Sequence, residues 1–241
     1  MKFTETKQAR QAAEMCRLTL TARAYSRMGQ IIGEPGTGKS ATTLWLADEL
    51  KGIRVECWCD ITPKGLLTEL ARGLCDRGVD APLRGTCAGL MAALNRVCVG
   101  RLILIDEANH LNWHALELLR ALSDIGGAGV VLVGTDMLAQ RLNEARTRVY
   151  LTQLRQRIGA KKIMMAPIDD AAEMAAYVLA PRFGRVGQQA AKRFLVATKG
   201  YWRSALELAD ACERLIKNEE SLTALDERAV DTAAALMAGA K

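Results

Sequence analysis

Gly33-Glu34-Pro35-Gly36-Thr37-Gly38-Lys39-Ser40 decides the fold. The octapeptide fits G-x-x-x-x-G-K-[ST] without a mismatch. Its context fits as well: residues 28–32 read as a short apolar strand before it, and residues 40–51 as a helix after it. Leu44, Leu46 and Leu50 give that helix apolar positions for burial. Glycines at such a turn let backbone N–H groups point inward and cradle phosphate oxygens. Thr37 and Gly38 supply cradle amides, Lys39 brings a point charge to the β and γ phosphates, and the Ser40 hydroxyl ligates Mg²⁺. The nucleotide-contacting stretch extends from Gly33 through Ala41, and the ligands it specifies are ATP and Mg²⁺.

Further along, Leu102-Ile-Leu-Ile-Asp106-Glu107 is a continuous apolar run ending in two acids. A strand covered on both faces has this composition, and it delivers Asp106 to the carboxyl end of the sheet, where open α/β folds bind ligands. Asp106 can hold Mg²⁺ directly or through water. Glu107 is placed to orient and polarise the attacking water. Val130-Val-Leu-Val-Gly-Thr135 is a second such run, expected between the two motif strands, with the Thr135 hydroxyl near the γ-phosphate or the water. Within residues 150–158, Arg155 and Arg157 are both candidates for stabilising transition-state charge from a neighbouring subunit, and either can equally serve as a surface ion-pair partner. Gly200-Tyr-Trp-Arg203 opens a helix from which Arg203 can reach the β and γ phosphates. Trp202 reads as core of that helical region rather than as a base-stacking platform.

Strand signals at 28–32, 53–59, 101–105, 130–133 and 161–165 alternate with helical stretches at 40–51, 63–77, 86–99, 111–125, 138–143 and 150–158. Such alternation specifies an α/β fold, a five-stranded parallel sheet with helices on both faces. After Pro167 the strand signal stops, and residues 169–179, 188–198, 203–217 and 221–237 read as helices. The expected organisation is an N-terminal helical segment (1–27), an α/β nucleotide-binding domain (28–167) and a small helical lid (168–241).

The bulk numbers agree with that division. Half of the 241 residues are hydrophobic, enough for a full core and too many for wholesale disorder. The formal charge of +6 favours an anionic partner such as nucleic acid. Seven cysteines, an odd number with no zinc-site spacing, read as small buried residues in a reducing compartment; Cys57 and Cys59 would share one face of a strand. Residues 1–11 are polar and no apolar run is long enough to span a bilayer, so a cytoplasmic protein without membrane contact is expected.

Taken in order, these motifs resemble the AAA+ ATPases, and in their details the transposition ATPases of the phage Mu B type. The matching segments are Asp106-Glu-Ala-Asn-His-Leu111, Val133-Gly-Thr135 with Leu138-x-x-Arg141, Gln153-Leu-Arg-Gln-Arg-Ile158 and Gly200-Tyr-Trp-Arg203. The resemblance spans roughly residues 6–217. It departs from the family at the start, where a helix-turn-helix domain is usual and only residues 1–27 precede the first strand here.

What the resemblance implies is ATP-dependent assembly into a homo-oligomer or helical filament on double-stranded DNA, with little sequence preference. It also implies delivery of that DNA to a transposase in a bacterial host cell, with hydrolysis dismantling the filament. Lys64, Arg84, Arg141, Arg146 and Arg148 are the candidate phosphate contacts, each equally readable as part of a solvated basic face. A helicase loader or secretion-associated motor with a protein client shares the same build. Intact Lys39, Asp106 and Glu107 argue against a non-hydrolysing switch.

Overall fold

The computed structural model describes residues 3–145, 148–218 and 224–239. They divide into two compact units, one formed by Met1–Gly33 with Lys39–Met165 and the other by Glu34–Gly38 with Ala166–Lys241.

The first unit contains, in chain order, α1 (Lys7–Thr21), β1 (Met28–Gly33), α2 (Lys39–Glu49), β2 (Ile53–Glu56), α3 (Pro63–Asp76), α4 (Cys87–Val97) and β3 (Leu102–Asp106). A 3₁₀ turn (Ala108–His110) leads to α5 (Trp113–Asp124), followed by β4 (Gly129–Gly134), α6 (Asp136–Asn143), α7 (Thr152–Ile158) and β5 (Lys162–Met165). All strand pairs are parallel, in the order β2-β3-β4-β1-β5. The Val130 strand therefore lies between the two motif strands, as its sequence implied.

Alternation along each strand sends side chains to two different cores. Ile103 and Ile105 of β3 join Val130 and Leu132 of β4 in a core built with α3, α4, α5 and α7. Leu102, Leu104, Val131 and Val133 join a second core built with α1 and α2. Both faces are dry, so these strands are apolar throughout. α2 ends at Glu49, short of residue 51, and of the three leucines only Leu46 is buried; Leu44 is exposed, and Leu50, just past the helix, is half-buried.

Helix ends follow local chemistry. Thr6, Thr62, Thr86 and Asn112 each accept a backbone N–H at the start of α1, α3, α4 and α5, and Pro63 occupies the first turn of α3. β2 stops at Glu56, not at residue 59 as alternation suggested. Its partner β3 ends at Asp106, so no ladder remains beyond Cys57 N–H, which donates to Asp106 O at 2.9 Å. Cys57 and Cys59 consequently do not share a strand face: the first is buried and the second exposed.

The second unit holds α8 (Ala171–Met174), a π turn (Ala175–Leu179), α9 (Ala180–Phe183), α10 (Gln188–Thr198), α11 (Trp202–Asn218) and α12 (Glu227–Gly239). Residues 169–179, read as one helix, are thus helical only from Ala171, and the winding loosens in front of Pro181. Phe194, Met174, Leu208 and Val230 centre its core, with Trp202 packed against it. Gly200 has φ +75°, and a Cβ there would lie 1.9 Å from Ile168 O, so only glycine fits. No helix among the described residues is long and apolar enough to cross a membrane.

Candidate nucleotide-binding site

α2 starts directly after the glycine-rich loop, and its first residue, Lys39, is buried. Lys39 Nζ donates to Gly33 O at 2.7 Å, joining the two ends of the loop. Gly36 and Gly38 have φ of +84° and +90°, the left-handed region in which a Cβ is strained. Thr37 Oγ1 donates to Glu34 O at 2.8 Å. Ser40 and Ala41 are exposed in the first turn of α2, which carries no acidic residue. The N–H groups of that turn and the loop glycines suit an anion.

Asp106 ends β3 and is wholly buried. Its Oδ1 accepts from Glu107 N–H at 3.0 Å, and its Oδ2 accepts from Arg54 Nη2 at 2.6 Å and lies 3.2 Å from Thr43 Oγ1. Thr43, on the same helix as Ser40, is also 3.0 Å from Ser40 O. Its single hydroxyl proton serves one of these acceptors at a time. Thr43 therefore brings the first turn of α2, with Ser40, up to the end of β3.

Glu107 has φ 51° and ψ 38°, a left-handed conformation that costs a non-glycine residue of order 1–3 kcal/mol. The bond from its own N–H to Asp106 holds it there. The turn separates the two acids: Asp106 is buried in the sheet end, and Glu107 is half-exposed.

Two further polar atoms at this sheet end are orphaned. Thr135 Oγ1, after β4, and Asn109 Oδ1, after β3, are buried without a hydrogen-bond partner among the described residues. A Cβ on Gly134 would lie 2.9 Å from Asn109 Oδ1, so Asn109 abuts the end of β4. Buried polar atoms without partners are uncommon, and each needs water, an ion or a ligand to complete its bonding.

Arg54 was not singled out from the sequence. Mid-strand, flanked by Ile53 and Val55, it reads as the solvated face of β2, and only the β2–β3 register shows that it shares a face with Asp106. Its Nε donates to Thr43 Oγ1 at 3.0 Å, and its Nη2 also reaches Glu56 Oε2 at 3.0 Å. Burial works against the guanidinium charge, but bonds and attraction from Asp106 and then Glu56 outweigh it and hold Arg54 above its ordinary pKa. Cys57 reports the same acidity: burial, followed by the fields of Asp106, Glu107 and Glu56, pushes its thiol up to about 12.

Among the described residues no group of three or more His, Cys, Asp or Glu side chains could hold a metal ion. A divalent ion here would draw on Ser40, Asp106, phosphate oxygens and water. That donor set suits Mg²⁺, which takes one or two protein oxygens and keeps the rest for substrate and solvent.

The two bridging-arginine candidates differ. Arg157 Nη2 pairs with Asp124 Oδ2 at 3.0 Å, and its guanidinium lies over the Tyr25 ring. Arg155 donates to neutral groups, Asn143 Oδ1 and Thr152 Oγ1, and forms no ion pair among the described residues. In the second unit, Arg203 is exposed at the start of α11. A Cβ on Gly36 would come within 3.8 Å of Arg203 Cβ, and Trp202 N–H donates to Gly36 O at 2.8 Å. Of the basic candidates for DNA, Lys64, Arg84 and Arg148 are exposed, Arg141 donates to Leu111 O at 2.9 Å, and Arg146 lies outside the described residues.

The chain matches the family model described as an AAA domain over residues 22–142. It is 44% identical over 64 residues to the Mu-like prophage FluMu DNA transposition protein B of Haemophilus influenzae, covering 26% of this chain and 22% of that protein. It is 31% identical over 169 residues to the ATP-dependent target DNA activator B of Escherichia phage Mu, covering 66% of this chain. That match spans about half (50%) of the length of the phage protein. Among solved structures, Cdc6p of Pyrobaculum aerophilum superposes with a TM-score of 0.65 at 17% identity, covering 89% of this chain and 62% of that one, which speaks to the fold. A complete phosphate loop after β1, an acid pair at the end of core strand β3, the β2-β3-β4-β1-β5 sheet and the family match lead to one conclusion: the chain belongs to the AAA domain family of P-loop ATPases.

Proposed function

We propose that this chain is a Mg²⁺-dependent ATPase that binds double-stranded DNA without sequence preference, oligomerises on it as a helical filament, and delivers it to a transposase while stimulating transposition. The observation that carries this reading is the meeting of Ser40, Thr43, Asp106 and Glu107 at one sheet end, in a chain whose relatives are named transposition protein B and target DNA activator B.

In this reading Lys39 and the loop amides of residues 33–41 bind and orient the triphosphate. Ser40 and Asp106 hold Mg²⁺, which when bound neutralises phosphate charge. Glu107 accepts a hydrogen bond from the attacking water and aligns it, the Thr135 hydroxyl donates to that water or to the γ-phosphate, and Asn109 Oδ1 accepts from the water. Arg155, free of a carboxylate among the described residues, supplies charge to a neighbouring subunit's phosphates; Arg157 is engaged by Asp124. Arg203, at the start of α11, is the remaining basic candidate for contact with the β and γ phosphates.

A nucleotide read by two subunits makes assembly depend on the γ-phosphate, and head-to-tail contacts that do not close produce a helix. Lys64, Arg84, Arg141, Arg146 and Arg148 would contact DNA phosphates, which makes binding salt-sensitive and blind to sequence. The site of action is the cytoplasm of a bacterial host cell.

Filter binding of random-sequence duplex with ATP, ADP or no nucleotide tests this. Retention is expected with ATP alone, falling steeply with salt and lost in Lys39→Ala. Nucleotide-independent retention, or none, contradicts the filament and favours a protein client.

A further inference from the structure

The carboxylate assigned to Mg²⁺ is already gripped by a cation of the chain's own. Arg54 Nη2 lies 2.6 Å from Asp106 Oδ2, the oxygen that the Thr43 hydroxyl also approaches from the Ser40 turn. Nothing in nucleotide cradling calls for a guanidinium there. A buried carboxylate does call for a counter-charge, and Arg54 supplies it.

The same guanidinium has a second acceptor within reach: Glu56 Oε2, 3.0 Å from Nη2, on a carboxylate that is 64% exposed. Arg54 is thus forked between an inner and an outer acid. A divalent cation joining Asp106 would meet the guanidinium charge a few ångströms away, in surroundings where charges are poorly screened. Sliding Arg54 fully onto Glu56 relieves that repulsion at little conformational cost, because the bond to Glu56 already exists.

We propose that Arg54 is a positioning residue that competes with the divalent ion for Asp106, and that Glu56 is the outer post onto which it is displaced. Metal affinity at this site is then set by a two-position arginine as well as by Ser40 and Asp106. Arg54 holds Asp106 compensated until a metal–nucleotide pair takes over, which keeps the site selective for metal arriving with triphosphate. This rests on the assignment of Asp106 to the metal.

The two partners give opposite signs. Arg54→Gln keeps a hydrogen-bond donor beside Asp106 but removes the charge, so metal should bind more tightly. Glu56→Gln removes the outer post from an exposed position, leaves Arg54 on Asp106, and should weaken metal binding. A merely structural role for this cluster would shift both in the same direction or neither.

The test is Mn²⁺ uptake followed by electron paramagnetic resonance on the full chain, with the nonhydrolysable analogue AMP-PNP present. The expected result is Mn²⁺ affinity raised about tenfold by Arg54→Gln, lowered severalfold by Glu56→Gln, and largely lost in Asp106→Asn. If Asp106→Asn loses Mn²⁺ while Glu56→Gln matches wild type or binds it more tightly, the competition is overturned and the metal assignment stands. Arg54→Gln binding more weakly than wild type overturns it likewise. If Asp106→Asn matches wild type, the metal assignment falls and the inference with it. Should Arg54→Gln fail to fold, the Glu56→Gln result decides alone.

Discussion

Asp106 at the end of β3 is buried, Asp124 at the end of α5 has a side chain only 5% exposed, and both accept short bonds from arginine. Their surroundings differ in charge balance. Arg120 and Arg157 converge on Asp124, and Arg120 also holds Glu117, so two cations face two acids. Among the described residues Arg54 alone pairs with Asp106 and Glu56, with Glu107 next in the chain. One cluster is balanced in charge, with Glu117 Oε1 left without a hydrogen-bond partner among the described residues; the other is short of positive charge and borders two orphaned oxygens, on Thr135 and Asn109. A neutral buried cluster joins elements together, here α5 to α7. A cluster with surplus negative charge at the carboxyl end of a parallel sheet is built for a cation that comes with the ligand.

The contrast breaks most visibly in turnover. Glu107→Gln should keep nucleotide binding and slow hydrolysis by roughly a thousandfold, as loss of a water-aligning base does. Single-turnover phosphate release measures it, and wild-type release would remove Glu107 from that role.

Stability is the next discriminator. Asp124→Asn strands Arg157, leaves Arg120 with Glu117 alone, and should cost about 3 kcal/mol, the low end for breaking a buried pair, with nucleotide affinity unchanged. Urea melts and nucleotide titrations on the same variant check both halves.

A smaller effect separates the arginines. Arg157→Ala should lower stability by about 1–2 kcal/mol through the lost Asp124 bonds, whereas Arg155→Ala should leave the melt unchanged and slow ATP turnover in assembled protein. The reverse pattern would exchange their roles.

The smallest concerns pH. Burial raises the thiols of Cys16 and Cys57 to about 12 and those of Cys98 and Cys212 to about 11, from 9.0. Above pH 9 the unfolded chain loses these protons first, so it binds fewer than the folded chain and stability falls as pH rises from 9 toward 11–12. Serine in place of Cys98 and Cys212 should flatten that decline in urea melts.

Much of this was legible in the sequence, because the strongest signals are local. Glycine at positions needing φ near +90°, an apolar run ending in Asp-Glu, and the loss of strand signal after Pro167 each depend on a few adjacent residues. What stayed hidden depends on register. Alternation through Cys59 looked like strand, but β2 can extend only as far as β3 offers partners, and β3 turns away at Glu107. Arg54 and Thr43 carry no motif, and Asn109 sits in the Asp106–Leu111 segment with no role of its own there; each gains meaning from what lies across from it. Arg155 and Arg157 look alike in sequence, and what distinguishes them is Asp124, which lies more than thirty residues earlier in the chain and pairs with Arg157.

The central claim is that the β3 end completes its charge balance with a metal–nucleotide pair. Calorimetric titration of AMP-PNP, with Mg²⁺ and with the metal chelated, addresses it most directly. Saturable uptake that needs Mg²⁺, is strongly weakened by Asp106→Asn and is untouched by Asp124→Asn is the predicted result. No uptake by the wild-type chain, or equal loss from both substitutions, would contradict it.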